Sequence, residues 1–148
     1  VFAARTRSQW AWRIAAAIVA FPAVYFLFGT PAGLLVGDYY RQQQFGLVLP
    51  SLDVILLVQL IRSSFFLVAS LPVLIAWSGS RLHFVLALGI AHFVFTGLFG
   101  MVGAHWLPPQ IRAIHSVEML ADSMAYAWAL AVLLMPASTG REAGLRRS

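Results

Sequence analysis

The sequence predicts an all-α integral membrane protein: an antiparallel bundle of four transmembrane helices, with a short interfacial segment between the first two. Three observations carry this. Of 148 residues, 61% are hydrophobic and only 10% charged, and the mean hydropathy of +0.83 lies well above that of ordinary soluble domains. Four apolar stretches each approach or exceed the roughly 17 to 25 residues that a helix needs to cross the hydrocarbon layer. The arginines flank the ends of those stretches, where topology signals lie.

Segment one covers about residues 12–28 and contains Pro22. A proline in a membrane helix kinks it and frees a carbonyl that neighbours must satisfy. A stop is expected at "GTPAG", residues 29–33. Arg5, Arg7 and Arg13 ahead of an apolar stretch also suit a signal peptide, and the first residue, Val1, suggests a trimmed start. No small-x-small cleavage site follows, so the segment is expected to remain as an uncleaved helix.

The next stretch, "PAGLLVGDYYRQQQFGLVLPS", mixes apolar and polar residues and carries Tyr39, Tyr40 and Arg41. It reads as a short interfacial helix across the mouth of the bundle, with an irregular loop as the alternative. Segment two covers about residues 52–77, opened by Pro50 and Ser51, with Asp53 where a negative charge suits the helix dipole. Segment three covers about residues 82–104. Segment four, about 109–135, follows "LPPQ", since proline suits the first turn of a helix.

The connections "SGSR" and "HWLPPQ" are short, which makes their flanking helices antiparallel. Ala16 and Ala20, Ala87 and Ala91, and Gly97, Gly100 and Gly103 recur at intervals that permit close helix contact. The chain 1–148 reads as one domain with an arginine-rich tail over 138–148. Trp10, Trp12 and Trp77 near one surface and Trp106 near the other suit interfacial anchoring.

All ten basic residues are arginine and the net charge is +5. In a soluble protein this would suggest nucleic acid; here the arginines mark helix ends, and no nucleic-acid partner is expected. Arg5, Arg7, Arg13, Arg81, Arg141, Arg146 and Arg147 fall on one side of a four-helix topology, Arg41 and Arg112 on the other. This places both termini in the cytoplasm, and the arginine and alanine bias points to a bacterial inner membrane. The absence of cysteine excludes disulfides, thiolate metal sites and cysteine nucleophiles.

Segment four raises the functional question, because "HSVEMLADS" puts charge where apolar residues are expected. At about 100° per residue, His115, Glu118, Asp122, Tyr126 and Arg112 share one helix face. Glu118 lies roughly 13 Å and Asp122 roughly 20 Å from Pro109 along the axis. In segment two, Gln59 and Arg62 share a face, and Arg62 lies roughly 15 Å from Leu52. Segment three brings His92 roughly 15 Å from Leu82. Three helices thus deliver ionisable groups to one layer.

An isolated charge at mid-membrane costs on the order of 3 kcal/mol, against about 0.3 to 0.6 returned by each leucine-like residue. A salt bridge from Arg62 to Glu118 or Asp122 is therefore expected. The surplus charge requires a protonated carboxyl or histidine, a bound cation or water. Residue by residue, plainer readings exist. Glu118 and Asp122 could complement the positive end of a shorter helix, Arg62 could snorkel to headgroups, and His92 could be an interhelical hydrogen-bonding residue. His83 and His105 sit at segment ends, and Tyr126 suits packing or a site hydroxyl equally.

No nucleotide-binding, P-loop, hydrolase-elbow or zincin motif is present. The "H-x-x-E-x-x-x-D" spacing, with His92, could ligate a divalent metal through His92, His115, Glu118 and Asp122. Haem between His92 and His115 is the weaker option, and no cofactor is expected. The first expectation is a site of Arg62, His92, His115, Glu118, Asp122, Gln59 and Tyr126 that binds or translocates a small polar solute or protons, with a homodimer needed for alternating access. The second is an intramembrane enzyme acting on a lipid-like substrate by acid–base chemistry. The third is an accessory subunit bound to a partner in a membrane complex. A tapered, mostly apolar cavity opening toward lipid favours the enzyme, whereas a wet vestibule favours transport.

Overall fold

The computed structural model describes residues 5–136, and its regular structure is helical throughout. The arginine-rich tail, with Arg141, Arg146 and Arg147, lies outside the described residues. Four helices are long and apolar enough to cross a membrane: α1 (Arg7–Arg41), α2 (Leu52–Ala76), α3 (Arg81–Gly103) and α4 (Pro109–Leu134).

α1 opens on a reciprocal cap. The Thr6 hydroxyl accepts from the Gln9 N–H at 3.2 Å, and the Gln9 side chain accepts from the Thr6 N–H at 3.1 Å. The helix does not stop at "GTPAG" but continues through Gly29, Thr30 and Pro31 for another three turns to Arg41. Most of the stretch expected to form a separate short helix is thus the second half of α1. In an apolar medium, leaving the helix would strand backbone polar groups, and this outweighs the weak helix propensity of glycine and proline. The Thr30 hydroxyl strengthens the passage by donating to the Phe26 carbonyl at 2.7 Å. The chain turns only beyond Arg41, where Gln43, Phe45 and Gly46 adopt positive φ around a short 3-10 turn over Gln44–Gly46.

Pro22 lies buried inside α1 and leaves the carbonyl of Ile18 without its helical donor. Ser63 of α2, completely buried, donates its hydroxyl to that carbonyl at 2.7 Å. One hydrogen bond therefore repairs the proline defect and joins two helices.

α2 packs chiefly along α1, whereas α4 packs along both α1 and α3 and forms the centre of the molecule. The core runs through Phe21 of α1, Leu67 and Leu74 of α2, Phe84 and Leu88 of α3, and Tyr126, Leu130 and Leu134 of α4. A second cluster, around Val36, Ala104, Leu107 and Ile111, ties the far half of α1 to the start of α4. Two glycines let α3 approach α4. A Cβ at Gly89 would lie 2.6 Å from the Met124 sulfur and 3.2 Å from its Cα, and one at Gly97 would lie 3.0 Å from Met119 Cβ. Gly100 and Gly103, expected in the same role, have nothing within 4 Å. Residues 93–98 of α3 widen into a π turn, within which the Thr96 hydroxyl donates to the His92 carbonyl at 2.7 Å.

The C-terminal carbonyls of α4 have no partners within the helix. Arginines supply them. Arg5 donates to Leu134 and Met135 at 2.8 and 2.9 Å, Arg13 to Leu133, and Arg81 to Pro136 at 3.1 Å. Residues read from sequence as topology signals thus also cap a helix whose negative end favours cations.

Candidate functional site

A groove of about 560 Å³ opens between α1 and α2. Gly29, Gly33 and Gly37 lie one helical turn apart and form its α1 side, while Val54, Ile55 and Val58 form the α2 side. The rim is mostly apolar, with Leu34 82% and Leu49 69% exposed, and Thr30 and Arg41 also stand on it. Deeper inside stand Tyr25, Tyr40, Gln59, His115 and Glu118.

Glu118 is the best organised of these. Its side chain is only 8% exposed, and one carboxylate oxygen, Oε2, lies 2.6 Å from His115 Nδ1. The other, Oε1, approaches Gly29 so closely that a Cβ there would stand 3.0 Å from it. His115 Nε2 meets the Tyr40 hydroxyl at 3.3 Å. With Glu118 ionised, Nδ1 carries the proton it donates, which leaves Nε2 as the acceptor. Carboxylate, imidazole and phenol thus form one chain along the groove wall.

Arg62 lies elsewhere. The expected salt bridge to Glu118 or Asp122 does not form: among the described residues the ion pairs are His115–Glu118 and Arg41–Asp38. The Arg62 guanidinium stands over the faces of Phe21 and Phe66, at 5.6 and 5.7 Å, and reaches Gln59 Oε1 at 3.4 Å. The cause is packing, because α2 lies on α1 and not along the carboxylate face of α4. Arg62 and both carboxylates remain within electrostatic range of the Tyr25 hydroxyl, which the Gln59 side chain also engages.

Asp122, one turn deeper than Glu118 on the same face, is 7% exposed, and its Oδ1 has no hydrogen-bond partner. Tyr126 points into the core, where its hydroxyl meets Ser63 Oγ at 3.4 Å. His92 stacks between Phe66 and Tyr126, with centroid distances of 5.3 and 6.1 Å, and its Nε2 meets Ser70 Oγ of α2 at 3.2 Å. It is an interhelical hydrogen-bonding residue, separated from the groove. His92, His115, Glu118 and Asp122 do not form a donor set, and among the described residues no three histidine, aspartate or glutamate side chains converge as metal ligands. The π turn and the aromatic stack hold His92 away from Glu118.

The site therefore brings together Gln59, His115 and Glu118 in the groove, keeps Arg62 and Asp122 near them, and leaves His92 and Tyr126 in the core. Tyr25, Tyr40 and the glycine stripe escaped the sequence reading. The four-residue spacing of Gly29, Gly33 and Gly37 was the available signal, but it lay inside a stretch read as the end of a helix.

Four helices of sufficient length and apolar character to cross a bilayer support a membrane protein. No protein-family model, curated protein or solved structure matches the chain.

Proposed function

We propose that this chain captures a long-chain, lipid-phase molecule sideways between α1 and α2 and exchanges a proton with its polar group through Glu118 and His115. The carrying observation is the combination in one groove of an exposed aliphatic rim with a carboxylate–imidazole–phenol chain inside. A rim of this kind is compatible with hydrocarbon. With Val54, Ile55, Val58 and Leu34 along its length and Tyr40 and Arg41 at one end, the groove suits an amphiphile, and its mostly apolar lining favours an intramembrane acid–base site over a wet vestibule. His115 Nε2 would accept a proton from the bound group while Glu118 stabilises the imidazolium.

This reading places the chain, as one domain, in an antiparallel four-helix arrangement across a bacterial inner membrane with both termini cytoplasmic. Arg5, Arg13 and Arg81 gather at the end where α4 finishes, whereas Arg41 lies at the far end of α1, in the sense of the positive-inside rule. The 35 residues of α1 extend about 52 Å, more than the hydrocarbon core of about 30 Å. The overhang would carry Tyr39, Tyr40 and Arg41 into the headgroup region as the interfacial segment.

The test is whether long-chain molecules remain with the purified protein. Mass spectrometry of extracts should find them with the native chain and not with Gly33→Trp, which fills the groove; the same molecules in equal amount from both would reject the reading. Proton-coupled translocation is the second reading, and the partnerless Asp122 oxygen near Glu118 favours it. It needs a homodimer and predicts that gradient-driven flux in vesicles is lost in Asp122→Asn and Arg62→Ala.

A further inference from the structure

The balance of charge and hydrogen-bonding capacity inside the groove bears on the polar group of its occupant. Glu118 commits Oε2 to His115, and Oε1 faces the bare backbone at Gly29 without a hydrogen bond among the described residues. One turn further in, Asp122 is more than nine-tenths buried and its Oδ1 is likewise without a partner. Of the two, Glu118 lines the groove, and its Oε1 is an acceptor in need of a donor; Asp122 lies outside the groove lining. Among the described residues no cation supplies one: Arg62 stands over two aromatic faces and reaches Gln59, Arg41 at the mouth is paired with Asp38, and the Arg112 side chain makes no hydrogen bond to Glu118. Gly29 is already approached by Glu118 Oε1, whereas Gly33, one turn on, leaves open space, with nothing within 4 Å of a Cβ there.

An anionic head would meet the Glu118 carboxylate, while the groove-lining Arg41 is already paired with Asp38. A neutral hydroxyl could donate one hydrogen bond. A primary ammonium offers three donors and a charge opposite to that of Glu118. Resting on the groove reading above, we infer that the site selects an amine-headed amphiphile, its ammonium against Glu118 Oε1 and its chain along Val54, Ile55 and Val58.

The chain has no cysteine, so Leu34→Cys places a single environment-sensitive fluorophore on the rim. The labelled protein, in phosphatidylcholine nanodiscs at neutral pH, is titrated separately with dodecylamine, dodecanol and dodecyl phosphate. The amine is expected to bind at least about tenfold more tightly than the alcohol, and the phosphate more weakly than either. Glu118→Gln should abolish the preference for amine while still binding dodecanol, which also shows that this variant is folded. Equal binding of amine and alcohol, tightest binding of the phosphate, or a preference that survives Glu118→Gln would overturn the headgroup assignment and leave the groove intact. No response to any of the three amphiphiles would overturn the groove reading itself, and the headgroup assignment with it.

Discussion

Glu118 Oε1 lies against the backbone of Gly29, with just enough room that a Cβ on residue 29 would stand 3.0 Å away. A helix that was expected to end there instead supplies a bare patch of main chain, and a buried carboxylate uses it. The contact joins α1 to α4 at the point where the groove meets its polar chain.

Gly29→Ala should therefore disturb the site more than the fold. The group displaced is the end of a side chain, so stability should change by no more than about 1 kcal/mol. The carboxylate must yield, however, and His115 must follow it. Imidazole nitrogen resonances of His115 should shift in Gly29→Ala and stay in place in Gly33→Ala, where the new methyl meets nothing within 4 Å. Equal behaviour in the two variants would show that the approach to Gly29 does not position Glu118.

The hydrogen bond from Ser63 to the Ile18 carbonyl makes a prediction about coupling. Ser63→Ala should destabilise the protein by about 0.6 kcal/mol and by no more than about 1.7, the mean and the maximum found for interhelical hydrogen bonds in membranes. In a Pro22→Ala background the Ile18 carbonyl regains a helical donor, and the same substitution should cost markedly less. Unfolding free energies of the four proteins complete the cycle, and an unchanged cost would mean that Ser63 does not act by repairing the proline.

Close packing of α3 on α4 rests on Gly89 and Gly97 rather than on Gly100 and Gly103. Gly89→Ala would bring its methyl 2.6 Å from the Met124 sulfur and 3.2 Å from the Met124 Cα. The sulfur can move but the backbone cannot without separating the helices, so a loss of about 1 to 3 kcal/mol is expected. Gly100→Ala should fall within about 0.5 kcal/mol of the native chain. Comparable losses at the two positions, measured by unfolding, would contradict this packing.

The helices and their apolar character were legible because hydrocarbon imposes length and composition on any helix that crosses it. The polar stripe of α4 was legible from the helical period, as was the need to satisfy the carbonyl freed by Pro22. Partner choice was not. Depth and facing brought Arg62 level with Glu118 and Asp122, but they do not reveal which helix lies beside which, and α2 settled on α1. The continuation of α1 was hidden because Gly29, Thr30 and Pro31 look like a stop by soluble-protein rules, which presume water ready to receive the backbone. The capping of α4 by Arg5, Arg13 and Arg81 was hidden too, since arginine at a membrane boundary is already explained by topology.

The central claim is lateral entry of a long-chain molecule between α1 and α2, and photo-cross-linking measures it directly. A long-chain alcohol bearing a diazirine near the middle of its chain is irradiated with the protein in nanodiscs, and the labelled residues are mapped. Labelling concentrated on Val54, Ile55, Val58 and Leu34, and lost in Gly33→Trp, is the predicted result. Labelling spread evenly over exposed positions away from the groove, such as Leu27, Phe65 and Phe95, and unaffected by Gly33→Trp, would contradict it.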